Sequence, residues 1–216
     1  MSRSLVGALP WFAALLVFAV PAGRAGVAAK PFTDHFTKTI NPSVWNVKKT
    51  EAIYAVSTSH GAVRVSTPGG GAGGFQWAGL QYRHRIAGNF DVSVRYSNAS
   101  IKRVNGSPGN QIQLNATFGG QTFCLVRSDE SDVGDNYHVW INSFVGSRPS
   151  KAKSGVLRIV RVGSTVTGYA NGVKIYQGTF NPSPVTDLWF SIQNNGTTDP
   201  ISVTFDDFTL RADSIS

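Results

Sequence analysis

The chain has 216 residues, a formal net charge of +8, 15% charged residues and one cysteine. A single cysteine excludes an internal disulfide framework, so an exported fold must be held by core burial. The basic residues are scattered (Lys48-Lys49, Arg83, Arg85, Lys102-Arg103, Lys151, Lys153) and form no nucleic-acid motif, so no nucleic-acid partner is expected, while an acidic glycan stays open.

The first 29 residues read as a signal peptide. Arg3 gives a positive start, Leu5 to Val20 is apolar, and Pro21-Ala22-Gly23-Arg24-Ala25 supplies a helix breaker followed by small residues, with cleavage expected between Ala25 and Ala29. The apolar stretch is shorter than the roughly 20 residues of a membrane helix, so no stable membrane insertion is expected. Residues 30–216 are then one secreted domain, extracellular or periplasmic, of a size that supports one core.

That domain is patterned as strands. Ala78 to Ile86 opens the series. Phe90, Val92, Val94 and Tyr96 alternate with Asp91, Ser93 and Arg95; Ile112, Leu114, Ala116 and Phe118 alternate with Gln111, Gln113, Asn115 and Thr117. Further runs follow at Thr122 to Arg127, Tyr137 to Ile141, Val156 to Val162, Val166 to Ala170, Val173 to Gln177, Leu188 to Gln193 and Val203 to Leu210. Turn signals separate them: Gly119-Gly120, Gly163-Ser164, Asn171-Gly172, Pro182 to Pro184 and Asn194-Asn195-Gly196. No helical period exceeds two turns, and Tyr54 to Val65, like the glycine run Gly69 to Gly74, reads as loop. Ten or more such strands predict an all-β sandwich or barrel. Phe123 and Leu125 make Cys124 between them a structural thiol.

The chain has only two glutamates, Glu51 and Glu130. Two-carboxylate glycoside hydrolysis needs an acid and a second carboxylate roughly 5 to 10 Å apart, and no strand offers that pair. The outward positions carry a different chemistry. If Tyr137, Val139 and Ile141 point inward, His138, Trp140 and Asn142 share the opposite face; the same parity exposes Gln111, Gln113 and Asn115, then Gln81, Arg83 and Arg85, then Trp189, Ser191 and Gln193. Amides, guanidinium groups and indoles suit polyhydroxylated ligands. Gln81, Arg83, Gln113, Asn115, His138 and Trp140 are accordingly expected to form one solvent-facing patch. A parity error would instead put Trp140 and Trp189 in the core.

The order of Phe32-Thr33-Asp34-His35-Phe36, Pro42-Ser43-Val44-Trp45, Gly88-Asn89-Phe90-Asp91-Val92-Ser93-Val94, Leu157-Arg158-Ile159-Val160-Arg161, Gly168-Tyr169-Ala170-Asn171-Gly172 and Val203-Thr204-Phe205-Asp206-Asp207-Phe208 resembles the concanavalin A-like lectin/glucanase (LamG-like) jelly-roll superfamily. The resemblance covers the whole mature chain. It implies an antiparallel two-sheet jelly-roll sandwich whose ligands lie across a concave sheet or its rim, and leaves function open among lectins, hydrolases, lyases and interaction domains. The glucanase signature Glu-x-Asp-x-x-Glu is absent. Alginate-lyase relatives carry Gln-x-His where this chain has Gln111-Ile112-Gln113, although Tyr137 and His138 keep lyase-like acid/base chemistry open.

Two acidic groups raise the question of Ca²⁺. Asp129, Glu130, Asp132 and Asp135 lie between strands and read better as a solvated hairpin tip than as a cation loop. Relatives of this fold often hold structural Ca²⁺ where the terminal strands meet, which makes Asp34 and Asp207 candidate ligands; alternation lets only one of Asp206 and Asp207 face inward. Four triplets match the N-glycosylation acceptor, beginning at Asn98, Asn105, Asn115 and Asn195. The expectation is a secreted, noncatalytic carbohydrate-binding domain, with a lyase or glycoside hydrolase of the same fold as the alternative and an interaction domain as the third.

Overall fold

The computed structural model describes residues 31–70, 74–104, 109–195 and 199–216. The expected signal peptide, residues 71–73 of the glycine run, and the acceptor triplets at Asn105 and Asn195 lie wholly or partly outside the described residues. Fifteen strands and no helix make up the described chain: β1 (Phe32–Asp34), β2 (Trp45–Lys49), β3 (Ala55–Ser59), β4 (Ala62–Thr67), β5 (Phe75–Tyr82), β6 (Ile86–Ser100), β7 (Gly109–Phe118), β8 (Gln121–Glu130), β9 (Gly134–Trp140), β10 (Phe144–Pro149), β11 (Gly155–Val162), β12 (Thr165–Ala170), β13 (Val173–Thr179), β14 (Val185–Asn195) and β15 (Ile201–Ile215).

Every pairing is antiparallel, and the strands form two layers. The front layer runs β10-β9-β8-β7-β14-β5-β2; the back layer runs β13-β12-β11-β6-β15, with β4 and then β1 along the far side of β15 and β3 outside β4. One pair, Val185 with Ile86, links the layers. Turn chemistry decides the hairpins. Asn171-Gly172 and Gly119-Gly120 both take positive φ at two successive residues, the conformation that matches the twist of flanking strands.

Three local expectations change. Residues 54–65 are not loop: β3 and β4 form a hairpin turned by His60 and Gly61, with φ of 51° and 75°, and Val63 and Val65 enter the core. The Ala78 to Ile86 run divides at Arg83–Arg85, where the chain leaves the front layer for the back. Asp206 and Asp207 do not alternate, because a bulge between Asp206 and Thr209, with Asp207 at φ 47°, lets both carboxylates meet Arg95 at 3.3 and 2.9 Å.

The core lies between the layers. Alternate residues of β6 (Phe90, Val92, Val94, Tyr96) face Ile112, Leu114 and Phe190 of the front layer within one buried cluster. Trp45 is its aromatic centre, with ring centroids 4.8 to 5.8 Å from Phe208, Phe190, Tyr82 and Phe36. Its indole nitrogen donates to Asp34 Oδ2 at 2.8 Å, while Asp34 Oδ1 accepts from the Phe36 backbone N–H at 2.8 Å. Asp34→Ala should therefore leave a buried donor unpaired and cost about 1 to 3 kcal/mol. Urea unfolding checks this, and an unchanged midpoint would refute the anchoring role.

Candidate functional site

The outward face of the front layer carries the site. Strand register arranges it in cross-strand rows. The first runs Asn46, Gln81, Trp189, Asn115, Cys124, Trp140 and Phe144; the second runs Lys48, Gly79, Ser191, Gln113, Val126 and His138; the third runs Trp77, Gln193, Gln111, Ser128 and Asn136. Gly79 separates Trp77 from Trp189 and has no side chain, so the two indoles meet over it with ring centroids 4.7 Å apart. Trp140 is 49% exposed on the other side of the floor, and Phe75, 71% exposed, extends the Trp77 side.

Five of the six expected residues share this face, but only some meet solvent. Trp140 is exposed and Gln81 half-buried, whereas Gln113, Asn115 and His138 are 4%, 1% and 0% exposed. The expectation of a wholly solvent-facing patch is corrected accordingly. Bulky neighbours and mutual packing are the cause: Phe144 lies over the His138 ring at 4.6 Å, and Trp189 and Trp140 flank the Asn115–Cys124 pair. Arg83 is not in the patch. It sits beyond the end of β5, where its guanidinium donates to Pro42 O at 2.7 Å and its backbone N–H to Val44 O at 2.9 Å, tying down the approach to β2.

The buried amides form a directed chain. Asn115 Nδ2 donates to Gln113 Oε1 at 3.1 Å, Gln113 Nε2 to Gln111 Oε1 at 2.5 Å and to Gln193 Oε1 at 3.0 Å, and Gln111 Nε2 to Glu130 Oε1 at 2.8 Å. Such a network fixes each polar group in place and holds the floor rigid. Asn115 Oδ1 is the exception: it is buried and has no partner.

The chain ends at a Glu–His pair that sequence reasoning did not assemble, since Glu130 read as loop. Its parity with Ser128 and Val126 was the available signal. Asn136 Nδ2 donates to Gly134 O at 2.9 Å, so Asn136 Oδ1 accepts from His138 Nδ1 at 2.7 Å. The neutral ring then turns the lone pair of Nε2 toward Glu130 Oε1, 3.5 Å away. Burial pushes the Glu130 carboxyl above its ordinary range against the opposing pull of Ser128 and Gln111, and burial holds His138 down to about 4. Burial therefore penalises the charged form of each group, and Nε2 is left buried without a hydrogen-bond partner.

The candidate cation ligands are otherwise engaged. Asp34 holds Trp45 and Phe36, while Asp207 accepts from His35 at 2.7 Å and Arg95 at 2.9 Å, and both partners hold its carboxyl below the usual range. In the β8–β9 turn region Asp129 pairs with Arg103 at 3.2 Å and Asp135 with Arg127 at 2.7 Å. Among the described residues no group of three or more His, Cys, Asp or Glu gathers for a metal, so the donors present do not fit a Ca²⁺ site. Asn115, with its side chain buried, is closed to glycan attachment in the folded chain, whereas Asn98 is exposed. Cys124 lies on the floor, opposite in direction to Phe123 and Leu125, and burial raises its thiol far above the ordinary range, which leaves it inert. Among the described residues no helix is long and apolar enough to cross a membrane.

These layers and this topology are those of the concanavalin A-like jelly rolls. Over residues 24–216 the chain matches the family described as "Protein of unknown function (DUF1583) C domain", and it belongs to that family. No curated protein matches it. Its solved structural neighbours include the carbohydrate recognition domain of Emp47p, at 9% identity and TM-score 0.59, covering 84% of this chain and 94% of that one. The potassium-bound carbohydrate recognition domain of Emp46p is similar at 13% identity and TM-score 0.57, covering 78% and 88%. The catalytic domain of an endo-1,3-β-glucanase (laminarinase) from Thermotoga petrophila RKU-1 is similar at 10% identity and TM-score 0.60, covering 85% and 97%.

Proposed function

We propose that this chain is an exported, noncatalytic carbohydrate-binding domain whose ligand lies on the outward face of the front layer. The carrying observation is the pairing of partly exposed indoles with a floor of immobilised amides: Trp77, Trp189 and Trp140 offer stacking surfaces around Asn115, Gln113 and Gln111. Sugar rings present apolar faces and polar rims, and such a surface meets both. The structural neighbours, two carbohydrate recognition domains and a glucanase, support a carbohydrate ligand. Hydrolysis is disfavoured because the partner of Glu130 on this floor is His138 and not a second carboxylate.

The Glu130–His138 pair favours one alternative, a lyase-type acid/base enzyme of the same fold. A glycan array followed by calorimetry separates the readings. Binding without release of reducing ends or unsaturated products is the expected result, and Trp140→Ala should weaken it by about 1 to 3 kcal/mol, the contribution of an aromatic's contact area. Product formation abolished by Glu130→Gln would transfer the assignment to the enzyme. An array without any hit would leave an interaction domain.

A further inference from the structure

We infer that the ligand of the front face is an uncharged, elongated glycan that runs across the strands and bridges the Trp77–Trp189 pair and Trp140. This rests on the reading of that face as a glycan site and adds its class and direction. Direction follows from register: Trp189, Asn115, Cys124 and Trp140 stand on one cross-strand row. Three strand spacings separate the two indoles, about 14 Å, too far for one sugar ring to touch both. The unpartnered Oδ1 of Asn115 lies on the row between them and accepts a hydroxyl donor that enters there.

Class follows from charge. Binding a uronate or sulfate on a desolvated surface calls for Arg or Lys to pair with it. Among the described residues, the front-facing positions of β5, β14, β7, β8 and β9 carry no Arg or Lys; Lys48 stands at the margin on β2. The front-facing carboxyls are Asp187, bonded to Gln81 at 2.8 Å, and Glu130, bonded to Gln111 and driven toward its uncharged form by burial. The basic excess points elsewhere: Arg64, Arg95, Arg158 and Arg211 are exposed on the back layer. An anionic chain would therefore find its counter-charges away from the indoles.

Calorimetry on the mature chain tests this, using neutral β-linked gluco- and manno-oligosaccharides of increasing length against oligogalacturonates of matched length, at low and high salt. Affinity for the neutral series should rise with length until the chain spans both indole groups and then level off, unchanged by salt. Trp189→Ala and Trp140→Ala should each weaken the long oligosaccharide about tenfold, the equivalent of 1.4 kcal/mol, while a disaccharide should respond to only one of them. Tighter, salt-sensitive uronate binding that is lost in Trp140→Ala would overturn the inferred class yet keep the glycan site. Neutral binding with no dependence on length would overturn the bridging. Binding of neither series would remove the underlying reading itself.

Discussion

Gly79→Ala should destabilise the domain by at least about 3 kcal/mol and remove ligand binding together with the fold. A Cβ at this position would lie 2.0 Å from Phe190 O and 2.7 Å from Ser191 Cα, both backbone atoms of the central strand β14. Backbone inside a sheet cannot turn aside as a flexible side chain does, so β5 must separate from β14 and lose ladder hydrogen bonds along the Gly79–Ser191 register. The Trp77–Trp189 contact across Gly79 would open as well. Urea unfolding and the tryptophan emission spectrum would report the two effects; a stable variant with unchanged emission would show that β14 yields more easily than a packed strand should.

Glu130→Gln should expose a dependence on pH that the native pair conceals. His138 is depressed from 6.5 to about 4 by burial, so on its own it stabilises the fold above pH 6.5 and loses that contribution as the pH falls toward 4. At 1.36 kcal/mol per unit this loss is about 3 kcal/mol. Glu130 is raised, so its contribution is complete below its unfolded value of 4.5 and fades as the pH rises through the folded value. As the pH falls below 6.5 the two oppose each other: the fold loses stability at the buried imidazole while it gains stability at the buried carboxyl. The groups facing the pair are Gln111 of β7, Ser128 of β8, Asn136 of β9 and Phe144 of β10, with Asp132 and Arg103 acting at longer range. Removing the carboxyl leaves the imidazole uncompensated, and Glu130→Gln should lose stability on acidification more steeply than the native protein. Parallel stability profiles for the two proteins would show that the Glu130 carboxyl does not offset the imidazole.

Parity along each strand was legible in the sequence because it is local. Side chains alternate whatever the sheet does, so Ile112, Leu114, Tyr137 and Val139 could be sent inward and Gln113, Asn115, His138 and Trp140 outward from the chain alone. Turn residues that tolerate positive φ marked the hairpins in the same way, and His60-Gly61 would have marked β3–β4 had its weak flanking alternation been given weight.

Tertiary structure alone decided how much of the outward face is covered. Whether an outward amide or imidazole meets water depends on how large its neighbours on adjacent strands are: Trp189, far along the chain, stands beside Asn115, and Phe144, across the β9–β10 turn, lies over His138. Cross-strand register likewise brought Gln111, Glu130 and His138 together, and a bulge placed Asp206 and Asp207 on one arginine. Strand direction and facing arise from backbone sterics within a few residues, and the sequence determined them. Burial, the meeting of Glu130 with His138 and the row of indoles arise from pairing between strands, and only the packed sheets set those.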